Sequence, residues 1–116
     1  MLWLLLSFRG RISREVYWLA YLLIVCVQSA VLAQLVGLEE ASFHGLAASI
    51  GPFVLLASLY GSLSISVKRL HDVGYSGFLG VAILIPFLNL AFAIWVGLLR
   101  GTAGPNAYGD VADVAP

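Results

Sequence analysis

Apolar residues do not alternate along this chain; they run together. No Asp, Glu, Lys or Arg occurs from Val16 to Leu38, from Leu46 to Val67, or from Val73 to Leu99. Each run holds about 22 residues or more, enough for a helix of roughly 30 Å, the thickness of a bilayer's hydrocarbon core. The charges collect at the borders: Arg9, Arg11, Arg14 and Glu15; Glu39 and Glu40; Lys68, Arg69 and Asp72; Arg100, Asp110 and Asp113. This pattern predicts an all-α integral membrane protein, a single membrane domain over 1–116, with three transmembrane helices near 14–37, 46–69 and 78–100 and a tail over 101–116.

Local signals sharpen the elements. Ser13 suits an N-cap, and Glu15 follows in the first turn, where a negative charge meets the helix dipole favourably. Tyr17, Trp18 and Tyr21 mark the entry as an interfacial aromatic belt. Glu39, Glu40, Ser42, His44 and Gly45 make a short polar turn, which sends the second helix back antiparallel to the first. Pro52 caps or kinks that helix near its start. His71 to Gly77 is dense in turn formers. Pro86 with Asn89 predicts a kink in the third segment, with a broken or re-entrant helix as the alternative. Before the first charge, Met1 to Leu6 is apolar but too short to span. It reads as an interfacial foot with Trp3 at headgroup level, and the first long helix reads as an uncleaved signal anchor.

Composition adds exclusions. The 116 residues are 61% hydrophobic and only 10% charged, against about 25% charged in soluble domains. Formal net charge is zero, which removes any general argument for nucleic-acid binding. The single cysteine, Cys26, lies in the first apolar run and reads as an apolar filler. No cofactor motif is present, and no metal site is expected, since His44 and His71 fall at opposite ends of the second helix with Cys26 between them. Lys and Arg counts orient the chain. With three spans, Arg9, Arg11, Arg14, Lys68 and Arg69 share one side and Arg100 stands alone on the other, so the N-terminus is cytoplasmic and the tail external. A re-entrant third segment would bring the tail back.

Small residues recur every four positions at Ser29, Ala33 and Gly37, and again at Ser58, Ser62 and Ser66. Such ridges let helices approach closely in lipid. In an antiparallel hairpin the first lies level with Ala47 and Gly51, and the second with Gly77 and Gly80. They read as intramolecular packing surfaces, with a homo-oligomer seam as the alternative.

Four strings break the apolar background: Phe8-Arg9-Gly10-Arg11-Ile12-Ser13-Arg14 with Tyr17-Trp18 behind it; Lys68-Arg69-Leu70-His71-Asp72; Gly74-Tyr75-Ser76-Gly77-Phe78; and Gly101 to Asp110. At these residues the chain resembles domain of unknown function family 805, small bacterial inner-membrane proteins. The family pattern is roughly F-x-G-R-x-S-R-x-x-[FY]-W, then R-L-H-D-x-G-x-S-G-W, then I-P, then G-x-x-G-x-N-x-[FY]-G. The match runs from Phe8 to Gly109 and includes the tail residues Gly104, Asn106, Tyr108 and Gly109. Phe78 stands where the family has Trp, and Asp110-Val111-Ala112-Asp113 replaces the usual Pro-Asp-Pro. The resemblance implies a bacterial inner-membrane location and no activity.

Read by their own chemistry, Arg11 and Arg14 are placed to meet Asp72, and Glu15 to meet Lys68 or Arg69. Asp72 is also three and four residues from Arg69 and Lys68 on one helix. This cluster either ties helix ends together or, through Arg11, Arg14, Lys68, Arg69, His71 and Asp72, binds an anionic phospholipid or another membrane protein. A Ser-His-Asp enzyme is a poor fit, because His71 and Asp72 are neighbours on a helix and diverge by about 100°. Transport also fits badly, because Gln28, Gln34, Asn89 and the serines are the strong polar groups at depth, and none is ionisable. The leading expectation is an interaction or structural subunit. The alternative is an oligomeric channel or small-solute transporter.

Overall fold

The computed structural model describes residues 2–35, 44–85 and 87–114, with side chains unassigned over 44–48. The order is α1 (Leu2–Leu6), α2 (Arg14–Leu35), α3 (His44–Val73), a 3-10 helix (Gly77–Leu84) and α4 (Leu88–Leu98). Glu39, Glu40 and Ser42 of the expected polar turn fall outside the described residues, as do Gly37 of the first small-residue ridge and Pro86 of the expected kink.

α2 begins as its sequence dictates. The Ser13 hydroxyl accepts the Val16 N–H at 3.3 Å, and its carbonyl accepts the Tyr17 N–H at 3.0 Å. α2 and α3 are antiparallel neighbours: Ile24 lies beside Gly61, Gln28 donates to Ser58 (3.1 Å), and Val31 and Leu35 flank Gly51. α2 and the Ser49–Val73 stretch of α3 are the two helices long and apolar enough to cross a bilayer. Their outer faces remain apolar and open, with Leu19, Leu22, Leu23, Phe53 and Leu56 all exposed.

The ridges divide. Ser62 and Ser66 are buried inside the chain, and Ser62 donates to Ser58 O at 2.9 Å. Ser29, in contrast, is exposed and Ala33 only half-buried; α2 meets Gly51 through Val31 and Leu35 instead. Gly77 and Gly80 pack on Val67, not on the serines beside it. Cys26 is exposed on the outer face of α2.

α3 ends in a Schellman motif. Gly74 adopts φ 98°, Tyr75 N–H bonds to Leu70 O (2.8 Å), and Gly74 N–H bonds to His71 O (3.1 Å). The next element is a 3-10 helix for a reason visible in its spacing. A 3-10 helix stacks every third residue on one face. Gly77, Gly80 and Ile83 therefore form one stripe, and Gly80 and Ile83 are buried. A Cβ on Gly77 or Gly80 would lie 2.8 or 2.9 Å from Val67 side-chain carbons, so only glycine allows this approach.

The third apolar run is not the single helix expected over 78–100. The chain turns between Ile85 and α4, with Phe87 at φ 68° and its side chain 99% exposed. α4 then returns along the 3-10 helix. Tyr75, near the start of the run, stacks on Trp95, near its end, with ring centroids 5.8 Å apart. Thr102 N–H, beyond the run, bonds to Asp72 O, before it, at 2.6 Å. Both ends of the run thus lie at the same end of the α2–α3 hairpin. Tyr17 and Trp18 fasten α4 there, donating to Ala93 O and Gly97 O at 3.0 Å each. The tail over 101–114 contains no helix.

α1 is bound more firmly than an interfacial foot. A helix end leaves carbonyls unpaired, and α3 supplies donors for them from one face. Tyr60 donates to Leu6 O (2.7 Å), Ser64 to Ser7 O (2.6 Å), and Lys68 to Trp3 O (2.7 Å) and Leu4 O. These donors recur every four residues and cover about 12 Å of α3, so α1 lies alongside the helix rather than level with its charged end. The Lys68 ammonium also sits 4.7 Å from the centre of the Trp3 ring. Lys68→Met keeps the apolar stem and removes this charged donor. We expect it to cost roughly 1.5–3 kcal/mol for each carbonyl left unpaired and to release α1, seen as faster thiol labelling of a cysteine placed at position 5.

Candidate functional site

The last turn of α3 carries Lys68, Arg69, His71 and Asp72, and their side chains leave in different directions. Lys68 points to α1. Arg69 and Asp72, three apart, point toward the N-terminal arm and the tail. His71 points to a third side.

Asp72 is the centre. Its Oδ1 accepts from Arg11 Nε at 3.0 Å, and its Oδ2 accepts from Arg69 Nη1. These are the two ion pairs among the described residues. Arg11 is 2% exposed, Arg69 0% and Asp72 5%. Buried guanidinium groups need an acceptor for every N–H, and the backbone supplies them. Arg11 donates to Thr102 O (2.7 Å), Gly104 O (2.7 Å) and Gly109 O (3.0 Å). Arg69 donates to Ile12 O (3.0 Å), Val96 O (3.2 Å) and Leu99 O. One carboxylate and two guanidinium groups thereby join the N-terminal arm, α3, α4 and the tail. Lysine has neither the planar fork nor enough donors for either position.

The tail motif closes this assembly. Asn106 donates to His71 O (2.8 Å) and accepts the Tyr108 N–H (2.8 Å), an Asx turn that holds the loop shut. The Tyr108 ring stacks on His71, with centroids 4.0 Å apart and planes 1° from parallel. His71 Nδ1 lies 3.1 Å from Gly10 O, which can only accept, so that nitrogen carries the proton. Gly104 and Gly109 present the carbonyls that Arg11 uses. Gly101 makes the closest approach, since a Cβ there would fall 2.0 Å from Asp72 Oδ2. Further on, Asp113 receives the Ser13 N–H (2.8 Å) and donates its own N–H to Arg11 O (2.8 Å). The segment that departs from the family pattern is therefore tied to the arm.

Two sequence expectations change here. Arg14 does not pair with Asp72: it is exposed, and Arg11 and Arg69 occupy the carboxylate. Glu15 is likewise exposed and meets neither Lys68 nor Arg69. His71 and Asp72 diverge as their adjacent positions on α3 imply: His71 Nδ1 meets Gly10 O, and Asp72 meets Arg11 and Arg69. Sequence reasoning also passed over the Tyr60, Ser64, Lys68 ladder, which its four-residue period could have revealed. It passed over the Trp18–Gly97 contact too, which has no local signature.

Above the buried assembly lies a cleft of about 390 Å³. Arg11, Arg69 and Asp72 form its floor, Ser13, Thr102, Gly104 and Asp110 part of its wall, and Arg14 and Arg100 its mouth. The floor cations are fully engaged. Arg14 and Arg100 are exposed and unpaired. Four arginines face two carboxylates, so the cleft carries a net positive charge and can accept an anion.

Fold and site together define an all-helical integral membrane protein whose polar machinery is gathered at one end. Comparison with known proteins supplies the family. Residues 5–110 match the family described as Protein of unknown function (DUF805), and the chain belongs to it. It is 28% identical over 118 residues to inner membrane protein YhaH of Escherichia coli (strain K12), covering 95% of this chain and 90% of the relative. It is 29% identical over 106 residues to inner membrane protein YhaI of the same strain, covering 90% and 84%. No solved structure matches it significantly. With these relatives and its two long apolar helices, the chain is a bacterial inner-membrane protein of a family of unknown function.

The ion-pair geometry makes a prediction. Asp72→Ala should destabilise the protein in detergent by about 3–5 kcal/mol, because it strands two buried guanidinium charges. Arg11→Ala keeps the Asp72–Arg69 pair but leaves the Thr102, Gly104 and Gly109 carbonyls without their donor, at roughly 1–3 kcal/mol for each that stays buried. Their double mutant should lose much less than the sum. Arg14→Ala should leave the melting temperature nearly unchanged and combine additively with Asp72→Ala. Thermal melts of the five variants decide between coupling and independence.

Proposed function

We propose that this protein is a docking subunit of the inner membrane that presents a cationic cleft to an anionic group at the cytoplasmic surface. The observation that carries the reading is the division of labour among the arginines. Arg11 and Arg69 are buried and engaged by Asp72 and backbone carbonyls. They hold the cleft in shape, while Arg14 and Arg100 remain free at its mouth. Lys68 and His71 also act as supports rather than as ligands, through their bonds to α1 and Gly10.

The membrane topology belongs to the same proposal. α2 and α3 span, and residues 75–101 enter and leave on one side as a re-entrant pair. All six Lys and Arg residues then share the cytoplasmic side, with Glu39 and Glu40 opposite. That is a stronger positive-inside bias than the five-to-one split of a three-span arrangement. Both termini are cytoplasmic in this reading. The channel alternative requires a polar stripe open to a partner or a lumen. Ser62 and Ser66 are buried within the chain and Ser58 is bonded to Gln28, which favours docking.

Two measurements test the proposal. A green fluorescent protein fused after Pro116 should fluoresce, and an alkaline phosphatase fused there should be inactive. The reverse pattern would restore three spans and place Arg100 outside. Affinity capture in mild detergent, read for proteins and lipids together, should recover an anionic ligand or acidic partner that Arg14→Gln/Arg100→Gln loses. Equal recovery by the double mutant would remove the cleft from the function.

A further inference from the structure

The cleft does not stop at its arginines. Arg14, the first residue of α2, also borders a second depression of about 570 Å³ that runs between the start of α2 and the last turn of α4. Its lining is Arg14, Glu15, Trp18, Leu19, Gly97 and Leu98. Below the level of Arg14 and Glu15 the lining is apolar apart from one indole N–H, and that group is already held by Gly97 O at 3.0 Å.

This seam is built, not incidental. The Trp18 ring lies so close to α4 that a Cβ on Gly97 would fall 2.4 Å from it. The contact and the hydrogen bond fix the indole as a wall one turn deeper than Arg14. Leu19 and Leu98 complete the sides and are 71% and 66% exposed, open toward the surrounding hydrocarbon. Arg100 lies in the cleft and Arg14 where cleft and seam meet, with the exposed Glu15 carboxylate beside Arg14. From the surface inward the order is these guanidinium groups, a fixed aromatic ring, then an apolar slot. A phospholipid presents phosphate, glycerol and acyl chain in that same order along the bilayer normal.

We infer that the cleft and seam together bind one anionic diacyl phospholipid, its phosphate between Arg14 and Arg100 and an acyl chain in the Trp18–Leu98 seam. The inference rests on the docking reading and names its ligand. A free phosphate or an acidic peptide would pair the arginines and leave the seam unfilled. A zwitterionic lipid would bring its own cation toward Arg14 and Arg100 at a cost. A net negative headgroup on two chains satisfies both regions.

The test uses the full chain in mild detergent, followed by native mass spectrometry with phosphatidylglycerol, phosphatidylcholine of the same chains, and glycerol 3-phosphate. Phosphatidylglycerol should be retained best. Arg14→Gln/Arg100→Gln should weaken it about tenfold, as expected for losing two exposed charge contacts. Leu98→Trp, which fills the seam from an exposed position, should weaken both lipids and spare glycerol 3-phosphate. Leu19→Trp repeats that test from the opposite wall should Leu98→Trp lower the melting temperature. Equal retention of phosphatidylcholine, or full retention of phosphatidylglycerol by both seam variants, overturns the lipid assignment. Glycerol 3-phosphate binding as tightly as phosphatidylglycerol, with both lost on arginine replacement, overturns it while leaving the docking reading intact. Retention of neither phosphatidylglycerol nor glycerol 3-phosphate overturns the lipid assignment and leaves the docking reading to the capture of an acidic partner.

Discussion

The structure depends on keeping the charge of Asp72 compensated at the end of a hydrophobic helix. An isolated carboxylate there is costly, and a single cation would leave guanidinium N–H groups without acceptors. Two arginines from separate parts of the chain solve both problems, because their remaining donors fall on backbone carbonyls of the arm, α4 and the tail. The arm and the tail have no helix of their own, so there the guanidinium groups take the place of secondary structure. The close approach of Gly101 to Asp72 follows from the same crowding.

A second consequence is that charge in this family need not advertise a ligand site. Arg11, Lys68 and Arg69 look exposed in the sequence, sitting at helix borders where cations normally reach for headgroups. In the folded chain each is fully buried and its donors are engaged internally. Lys68 caps α1, Arg69 pins α4, and Arg11 pins the tail. The exposed cations are Arg9, Arg14 and Arg100, and of these Arg14 and Arg100 border the cleft.

The third apolar run illustrates how glycine spacing redirects a hydrophobic segment. Its length is ample for a span. Three-residue spacing of Gly77, Gly80 and Ile83 fits a 3-10 stripe against Val67, and the chain then reverses at Phe87. The return path is set by Trp18 on Gly97 and Tyr75 on Trp95, contacts between residues far apart in sequence. The doubled-back segment keeps its ends together, which is what allows the tail to reach Arg11.

Much was legible beforehand because it is governed by local rules. Membrane residence, the two long helices, their antiparallel packing, the Ser13 cap and the turn after α3 follow from hydropathy, length and capping chemistry. The strings that mark the family were also visible; three of the four contribute residues to the assembly around Asp72, and the Gly74–Phe78 string makes the turn and the close approach to Val67 that follow α3. Pairing was not legible. Arg11 and Arg14 are chemically identical, and only the path of the arm decides which is buried. The course of the third run was equally hidden, since a span and a re-entrant pair share one hydropathy profile. Which arginine meets Asp72, and which end of the α2–α3 hairpin the tail packs on, are long-range contacts between segments far apart in the chain.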